Sequence, residues 1–222
     1  VNLAAGLAAS GAKVGLCDAD IYGPSAPLLL GIKKGPVMGR RNRIIPVQSH
    51  GMKVMSIGLL TKPDQAVVWR GPMASGALKQ FISDTEWGEL DYLVFDMPPG
   101  TGDIPLTLVQ TLAVTGVVMV TTPQDIALAD VKRGIQMFEK VQVPTLGIVE
   151  NMSYYACPQC GHREEIFDHG GGARMAEQFG IPLIAEIPIE VGVRRSGDAG
   201  TPTVLASPDS QAAGALMKMS KE

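Results

Sequence analysis

Hydrophobic positions along this chain switch repeatedly between a helical spacing and short continuous runs, and those switches outline its elements. Residues 1–9 carry apolar side chains at helical intervals, Ser10 and Gly11 stop that helix, and 13–17 read as a buried strand ending in acids. A loop, DADIYGPSAP, leads to a short helix. IIPV and MKVMSIG then read as two strands pairing as a hairpin, and PMASGALKQFISDTEW as a helix. The run YLVF, ending at Asp96, has the pattern of a strand covered on both faces. A helix over 104–112, the strand GVVMVTT, a helix over 126–141 and the strand TLGIVEN follow. Last come a loop holding CPQC, the helix GARMAEQFG closed by Gly180, the strand LIAEIP, and a C-terminal helix capped by Ser207 or Asp209.

This alternation predicts an α/β fold: a doubly wound, mostly parallel sheet with helices on both faces, formed as a single domain over 1–222 with a metal loop at about 152–169. The opening helix and strand form the back half of a βαβ unit. With no initiator Met and no signal peptide at Val1, the front strand and the loop that opens the helix are expected ahead of it. Apolar residues at 45% against 18% charged exclude a disordered chain, and 26 Gly with 16 Pro suit many sharp turns. A net charge of −3 gives no general reason for a nucleic-acid partner, and the local cluster Arg40, Arg41 and Arg43 reads as a solvated loop. No apolar run reaches the roughly 18 residues of a membrane span, so no membrane partner is expected. Three Cys, two of them in one C-x-x-C, suit a reducing compartment, with the cytoplasm as the default.

Acids fall where an open parallel sheet binds ligands, beyond the carboxyl ends of its strands. Asp18 and Asp20 follow KVGLC; Asp96 follows YLVF and is succeeded by MPPGTGD, ending in Asp103. If those strands are neighbours, three or four carboxylates converge on one edge and call for a cation. Magnesium fits, since it takes oxygen ligands, keeps waters and bridges to phosphate. Gly100 and Gly102 would let backbone approach that phosphate, with Pro98 and Pro99 restricting the loop. Acids that merely cap turns explain each Asp singly and the set poorly.

The stretches DADIYGPS (18–25), VVWRGPM (67–73), DYLVFDMPPGTGD (91–103), TTPQDIALADVKRG (121–134), GIVENMS (147–153) and CPQCG (157–161) resemble, in the same order, the Mrp/ApbC family. Those are P-loop ATPases, related to the Min cell-division ATPases and to nitrogenase iron protein, that carry iron-sulfur clusters. The resemblance implies ATP and Mg2+ as ligands. It makes Asp18 and Asp20 part of a first switch, with Asp20 positioning the attacking water. It makes Asp96 the acid that holds magnesium through water, and Pro99, Gly100, Gly102 and Asp103 a second switch sensing the terminal phosphate. Asn151 looks like the adenine-reading Asn, with the stretch after Pro188 closing the base pocket; from the residues alone, an Asn at a strand end is a turn former. The family's glycine-rich phosphate loop is expected just ahead of Val1, and a chain without it should hydrolyse ATP negligibly.

Cys157 and Cys160 form a knuckle whose two thiolates fill half a tetrahedral site. The other half could come from His162 and His169, giving zinc, or from a second copy of the chain. Spacing alone leans to zinc. The resemblance implies instead a 4Fe-4S cluster shared across a homodimer and handed to apoproteins, by a slow ATPase whose nucleotide state opens or clamps the two halves. Two rivals remain open: a zinc-binding non-enzymatic scaffold of the same fold, and a Min-like or partition-type positioning ATPase. Cys17 reads as core, as does Trp69 unless the resemblance places Trp69 and Arg70 on a dimer face. His50 reads as a surface turn residue, and Met52, Met55 and Met152 as gap-fillers.

Overall fold

A computed structural model describes residues 1–60 and 71–221. In chain order its first half holds α1 (Asn2–Ala9), β1 (Val14–Asp18), α2 (Ala26–Leu29), β2 (Val37–Met38), β3 (Ile44–Ile45), β4 (Val47–Ser49), β5 (Met52–Ser56), α3 (Gly71–Ser83), β6 (Tyr92–Asp96) and α4 (Asp103–Thr111). The second half adds β7 (Val117–Thr121), α5 (Asp125–Lys140), β8 (Thr145–Ala156), β9 (Arg163–Glu164), α6 (Gly171–Phe179), β10 (Leu183–Ile189), α7 (Val191–Asp198), α8 (Thr203–Ala206) and α9 (Gln211–Met219). Trp69 and Arg70 lie outside the described residues.

Among the described residues the expected sheet is found in two mostly parallel parts. One has the order β4-β5-β1-β6 and the other β10-β8-β7, with β9 added to β8 and a separate β2-β3 ribbon. β1 lies between two parallel neighbours, and all five of its residues are buried, the continuous run that a strand covered on both faces requires. A Cβ at Gly15 would come within 2.8 Å of the Leu90 and Leu93 side chains, so glycine there lets the cover pack closely. β6, expected to be covered on both faces, pairs only with β1 among the described residues, with Tyr92 exposed and Leu93 to Asp96 half-buried. β7 is the outer strand of the other part, and no ladder joins it to β6 among the described residues. The two parts still share one core, in which Leu16, Met52 and Val54 join Val149, Ile184 and Leu216, with Val94 of β6 and Val118 of β7 at its border.

Several boundaries moved for identifiable reasons. The hairpin comes from β4 and β5 through His50 (φ 47°) and Gly51 (φ 78°), the paired left-handed residues that a two-residue turn matching strand twist needs. Pro46 cannot donate to a ladder, so Ile44 and Ile45 leave this hairpin and pair with β2. Arg43 is no solvated residue: its guanidinium donates to the carbonyls of Ser83 at 2.5 Å and Thr85 at 2.9 Å, closing the end of α3. β8 runs five residues past Asn151 and returns as β9, so CPQC forms a hairpin tip rather than a free loop. Gly180 does close α6, at φ 64°. The last helix is capped by Ser210, whose side chain accepts from Ala213 N, and not by Ser207 or Asp209; the short helices α7 and α8 were not anticipated.

The turns at Gly31 and Gly200 are pinned where backbone meets backbone. A Cβ at Gly200 (φ 71°) would lie 2.5 Å from Gly31 Cα, and the Gly200 carbonyl lies 3.2 Å from His50 Nε2. Gly200→Ala is therefore expected to cost about 2–4 kcal/mol in urea unfolding, combining a left-handed backbone with a clash against main chain that cannot swing away. Gly11→Ala, equally left-handed at φ 97° but with open space around it, is expected to cost about 1–2 kcal/mol.

Candidate functional site

β1 and β6 run in register from Val14 opposite Tyr92 to Asp18 opposite Asp96, so two acids leave the carboxyl ends of adjacent parallel strands side by side. Asp18 is 1% exposed. Its Oδ2 accepts from Ser56 Oγ at 2.9 Å and from Ala26 N at 3.2 Å, while Oδ1 accepts from Asp20 N at 3.2 Å. Burial pushes this carboxyl above its ordinary value of 3.8 and the charge of Asp96 adds to the shift, against the pull of the three donors. Asp96 is more open. Its Oδ2 lies 3.9 Å from the nitrogen of Val1 at the head of α1, and its carbonyl accepts from Ala19 N at 2.8 Å. A helix head carries partial positive charge, so α1 points its favourable end at this acid.

Asp20 is engaged in its own turn: Oδ1 accepts from Tyr22 N and Gly23 N, each at 3.1 Å. After Asp96 the chain passes through Pro99, Gly100 and Gly102, all exposed, with Gly100 at φ 92°, and enters α4 at Asp103. Among the described residues no group of three or more His, Cys, Asp or Glu is gathered closely enough to hold a metal by itself. Among the described side chains, which do not include that of Asp103, the expected convergence of carboxylates amounts to one register pair, Asp18 with Asp96, that leaves phosphate and water to complete any magnesium shell.

Asn151 and Pro188 also come together, since Asn151 is opposite Ile187 across the β8-β10 ladder. The Asn151 Oδ1 accepts from Met152 N at 3.0 Å, and Met152 itself, at φ 55° and 43% exposed, turns outward instead of filling a gap. Sequence reasoning passed over the neighbour, Glu150. Its carboxylate is fully buried, accepting from Gly172 N near the start of α6 at 2.5 Å and from Ser153 Oγ at 2.6 Å. A Cβ at Gly172 would sit 3.0 Å from Glu150 Cβ, so glycine there admits the acid. The signal was an acid inside the apolar run GIVEN. Ser56, the partner of Asp18, was missed because its role exists only through the pairing of β1 with β5.

At the hairpin tip, Cys160 is exposed and Cys157 partly so. The N–H groups of Cys160 and Gln159 and the Cys160 thiol donate to the Cys157 sulfur and hold it below the usual thiol range. Tyr154 carries the Arg163 guanidinium 3.9 Å above its ring, which braces the base of this hairpin. The two histidines do not join the cysteines: His162 pairs with Glu164 at 3.2 Å and His169 with Glu165 at 3.4 Å. Zinc held by two Cys and two His of one chain is therefore not the arrangement present. Cys17 is core, and its thiol is pushed up, first by burial and then by Asp18.

A family model described as ParA, NUBPL iron-transfer P-loop NTPase matches the chain over residues 1–222. The chain belongs to this family. It is 56% identical over 212 residues, 95% of its length, to the iron-sulfur cluster carrier protein of Escherichia coli strain K12, and 46% identical over 224 residues to the iron-sulfur cluster transfer protein NUBPL of Dictyostelium discoideum. It spans 58% of the length of the first of these and 69% of the second. Among solved structures, a nucleotide-binding protein from Archaeoglobus fulgidus in complex with ADP has a TM-score of 0.79 at 40% identity, covering 91% of this chain and 79% of that one. The septum site-determining protein MinD of Pyrococcus horikoshii, with Mg-ADP, shares the fold at a TM-score of 0.70 and 20% identity, covering 99% and 86%. No helix among the described residues is long and apolar enough to cross a membrane.

Two outcomes follow from the site's electrostatics. Because the folded pKa of Asp18 lies above its unfolded value, the native state holds more proton than the unfolded chain above pH 3.8, so Asp18's contribution is most favourable below that pH and declines as pH rises through the folded pKa. Asp18→Asn removes this term, and the slope of unfolding free energy against pH, read from urea titrations between pH 4 and 8, should become more positive than in the parent. Iodoacetamide at neutral pH should alkylate Cys157 in the native protein and spare Cys17 until denaturant is added, as read by peptide mass spectrometry.

Proposed function

We propose that the full-length protein is an ATP-dependent carrier of iron-sulfur clusters, which binds one 4Fe-4S cluster across a homodimer and passes it to recipient apoproteins in the cytoplasm. The observation that carries this reading is the CPQC hairpin: two thiols at an open tip, with no third ligand beside them among the described residues, in a member of an iron-transfer family. A 4Fe-4S cluster takes four thiolates, so a second chain supplies the other pair. The cluster is cargo. A lowered thiol pKa at Cys157 favours the thiolate that iron requires, and exposure of both sulfurs keeps the cargo within reach of a recipient.

The acid pair supports the nucleotide half of the reading. Asp96 would hold a water of magnesium, with Asp18 behind it fixing the switch loop through Ala26 N; bound there, magnesium would offset the charge of the terminal phosphates. Asp20 would orient the attacking water once its turn opens. Gly100 and Gly102, with Pro99 and Asp103, offer a loop that approaches the last phosphate, while Asn151 and Pro188 would take the adenine. The phosphate cradle would come from a loop ahead of Val1, entering through the head of α1, and the outer strands β6 and β7 would accept its strand. Phosphate bound at these loops would also set how the two chains meet, and hydrolysis would be slow.

The test is anaerobic reconstitution of the full-length protein with ferrous iron and sulfide. About two irons and two sulfides per chain, with visible charge-transfer absorption, are expected. Cys157→Ser and Cys160→Ser should each lose that absorption and the dimer it bridges. Stoichiometric zinc with no sulfide would overturn the cluster reading in favour of a zinc scaffold. Asp96→Ala should lower ATP turnover at least tenfold, about 1.4 kcal/mol of barrier, and slow transfer to an apoprotein; unchanged transfer would separate the nucleotide from the cargo.

A further inference from the structure

We propose that the β2-β3 ribbon is a docking strand for an extended acidic peptide segment of a partner protein, independently of the nucleotide and the cluster. The first observation is one of charge. Between residues 21 and 63 the chain holds seven Lys and Arg and no Asp or Glu, although the whole chain has a net charge of −3. Two of the described cations are consumed internally: Arg43 closes α3, and Lys53 Nζ donates to the Trp87 carbonyl. Lys33, Lys34, Arg40 and Arg41 are exposed, and none of the four forms an ion pair among the described residues. They flank β2 on both sides, two residues before it and two after it.

The second observation is the surface between those cations. Val37 and Ile45 are cross-strand partners, and with Met38 they are exposed at 61%, 40% and 60%. β2 pairs only with β3, so its second edge presents unpaired backbone donors and acceptors among the described residues. The tip is held in one shape: Arg41 and Asn42 both adopt left-handed backbone, at φ 56° and 59°, and Gly39 N and Arg43 N donate to the Arg43 and Arg40 carbonyls. Non-glycine residues in that region are strained, and they persist where the surrounding structure fixes them. A rigid edge strand with apolar side chains at its centre and cations at both ends is complementary to a strand of the opposite kind, apolar in the middle and acidic at the ends.

Geometry separates this occupant from two others. A bilayer would meet the guanidinium groups of Arg40 and Arg41 first and would leave the open backbone edge unsatisfied in hydrocarbon, whereas an added strand satisfies that edge. A single-stranded nucleic acid would find no Phe, Tyr or Trp between residues 31 and 49 on which to stack a base.

Fluorescence anisotropy of the full-length protein with a labelled peptide of sequence DEDLVIDED provides the test, in low and in physiological salt. Saturable binding is expected, weakened at least tenfold by Arg40→Glu with Arg41→Glu, at least threefold by Val37→Ser with Ile45→Ser, and less than twofold by the control pair Lys132→Glu with Lys140→Glu on α5. The thermal midpoints of all three should match the parent, which excludes misfolding as the cause. Absence of peptide binding, or equal weakening by the control pair, overturns the proposal. So does sedimentation with vesicles containing phosphatidylserine, or binding of a labelled oligothymidine, when the peptide does not bind.

Discussion

Parallel pairing of β1 with β6 forces two carboxylates to leave the sheet next to each other, and the surrounding structure answers to that constraint. Adjacent strands are about 4.8 Å apart. At that spacing two negative charges repel by about 3 kcal/mol if the effective dielectric constant is about 20. Asp18 is compensated by donors from three directions: the strand beyond it, the turn after it, and the start of α2. Among the described residues Asp96 receives no comparable set and has the head of α1 nearby. The asymmetry agrees with the proposed roles. The buried acid organises its loop, and the open acid is the one with capacity for a cation or its water.

That organisation reaches further than one residue. Because Asp18 grips Ala26 N while Asp20 grips Tyr22 N and Gly23 N, the whole connection between β1 and α2 is folded around two carboxylates. Any ligand that draws Asp20 out of its turn loosens the segment carrying Tyr22, which is two-thirds exposed. On the second sheet part, Glu150 does similar work with no exposed face at all: it ties the middle of β8 to the start of α6, directly before the residue proposed to read the base. One buried carboxylate therefore organises the local structure in each part, and the ligand chemistry proposed above falls to more open neighbours.

The sequence made the element order and the acid rim legible because both depend on local pattern. Apolar runs in β1 and β8 and the helical spacing of α5 specify their own conformation, and Gly180 announces the end of α6 by itself. What was illegible depends on partners distant in sequence. The exposure of Tyr92 and the half-burial of Leu93 to Asp96 cannot be read from YLVF, since the same residues would serve a fully covered strand. Arg43 reads as a solvated cation until the end of α3 is brought to it. His162 and His169 have plausible spacing for a zinc site, yet local pairing with Glu164 and Glu165 on a short ribbon turns them to other partners. The family resemblance, carried by six short stretches, anticipated the fold and the family correctly; the roles it assigns to Asp20, Asn151 and Pro188 remain part of the proposed function.

Two cysteines at an exposed tip have a consequence for how cargo would be held. A site wholly inside one chain closes as that chain folds, and its occupancy is tied to stability. A half-site is different, because the other half arrives with a second molecule and occupancy then depends on association. The CPQC hairpin is braced at its base by Arg163 over Tyr154 and closed at its tip by Cys157 N donating to the His162 carbonyl and Gly161 N to the Cys157 carbonyl. Cargo held this way can be released by separating two chains without unfolding either one, a requirement for a carrier that a permanent structural site would not meet. The proposed dependence on nucleotide follows the same logic, since whatever governs the meeting of the two chains also governs the fourfold thiolate set.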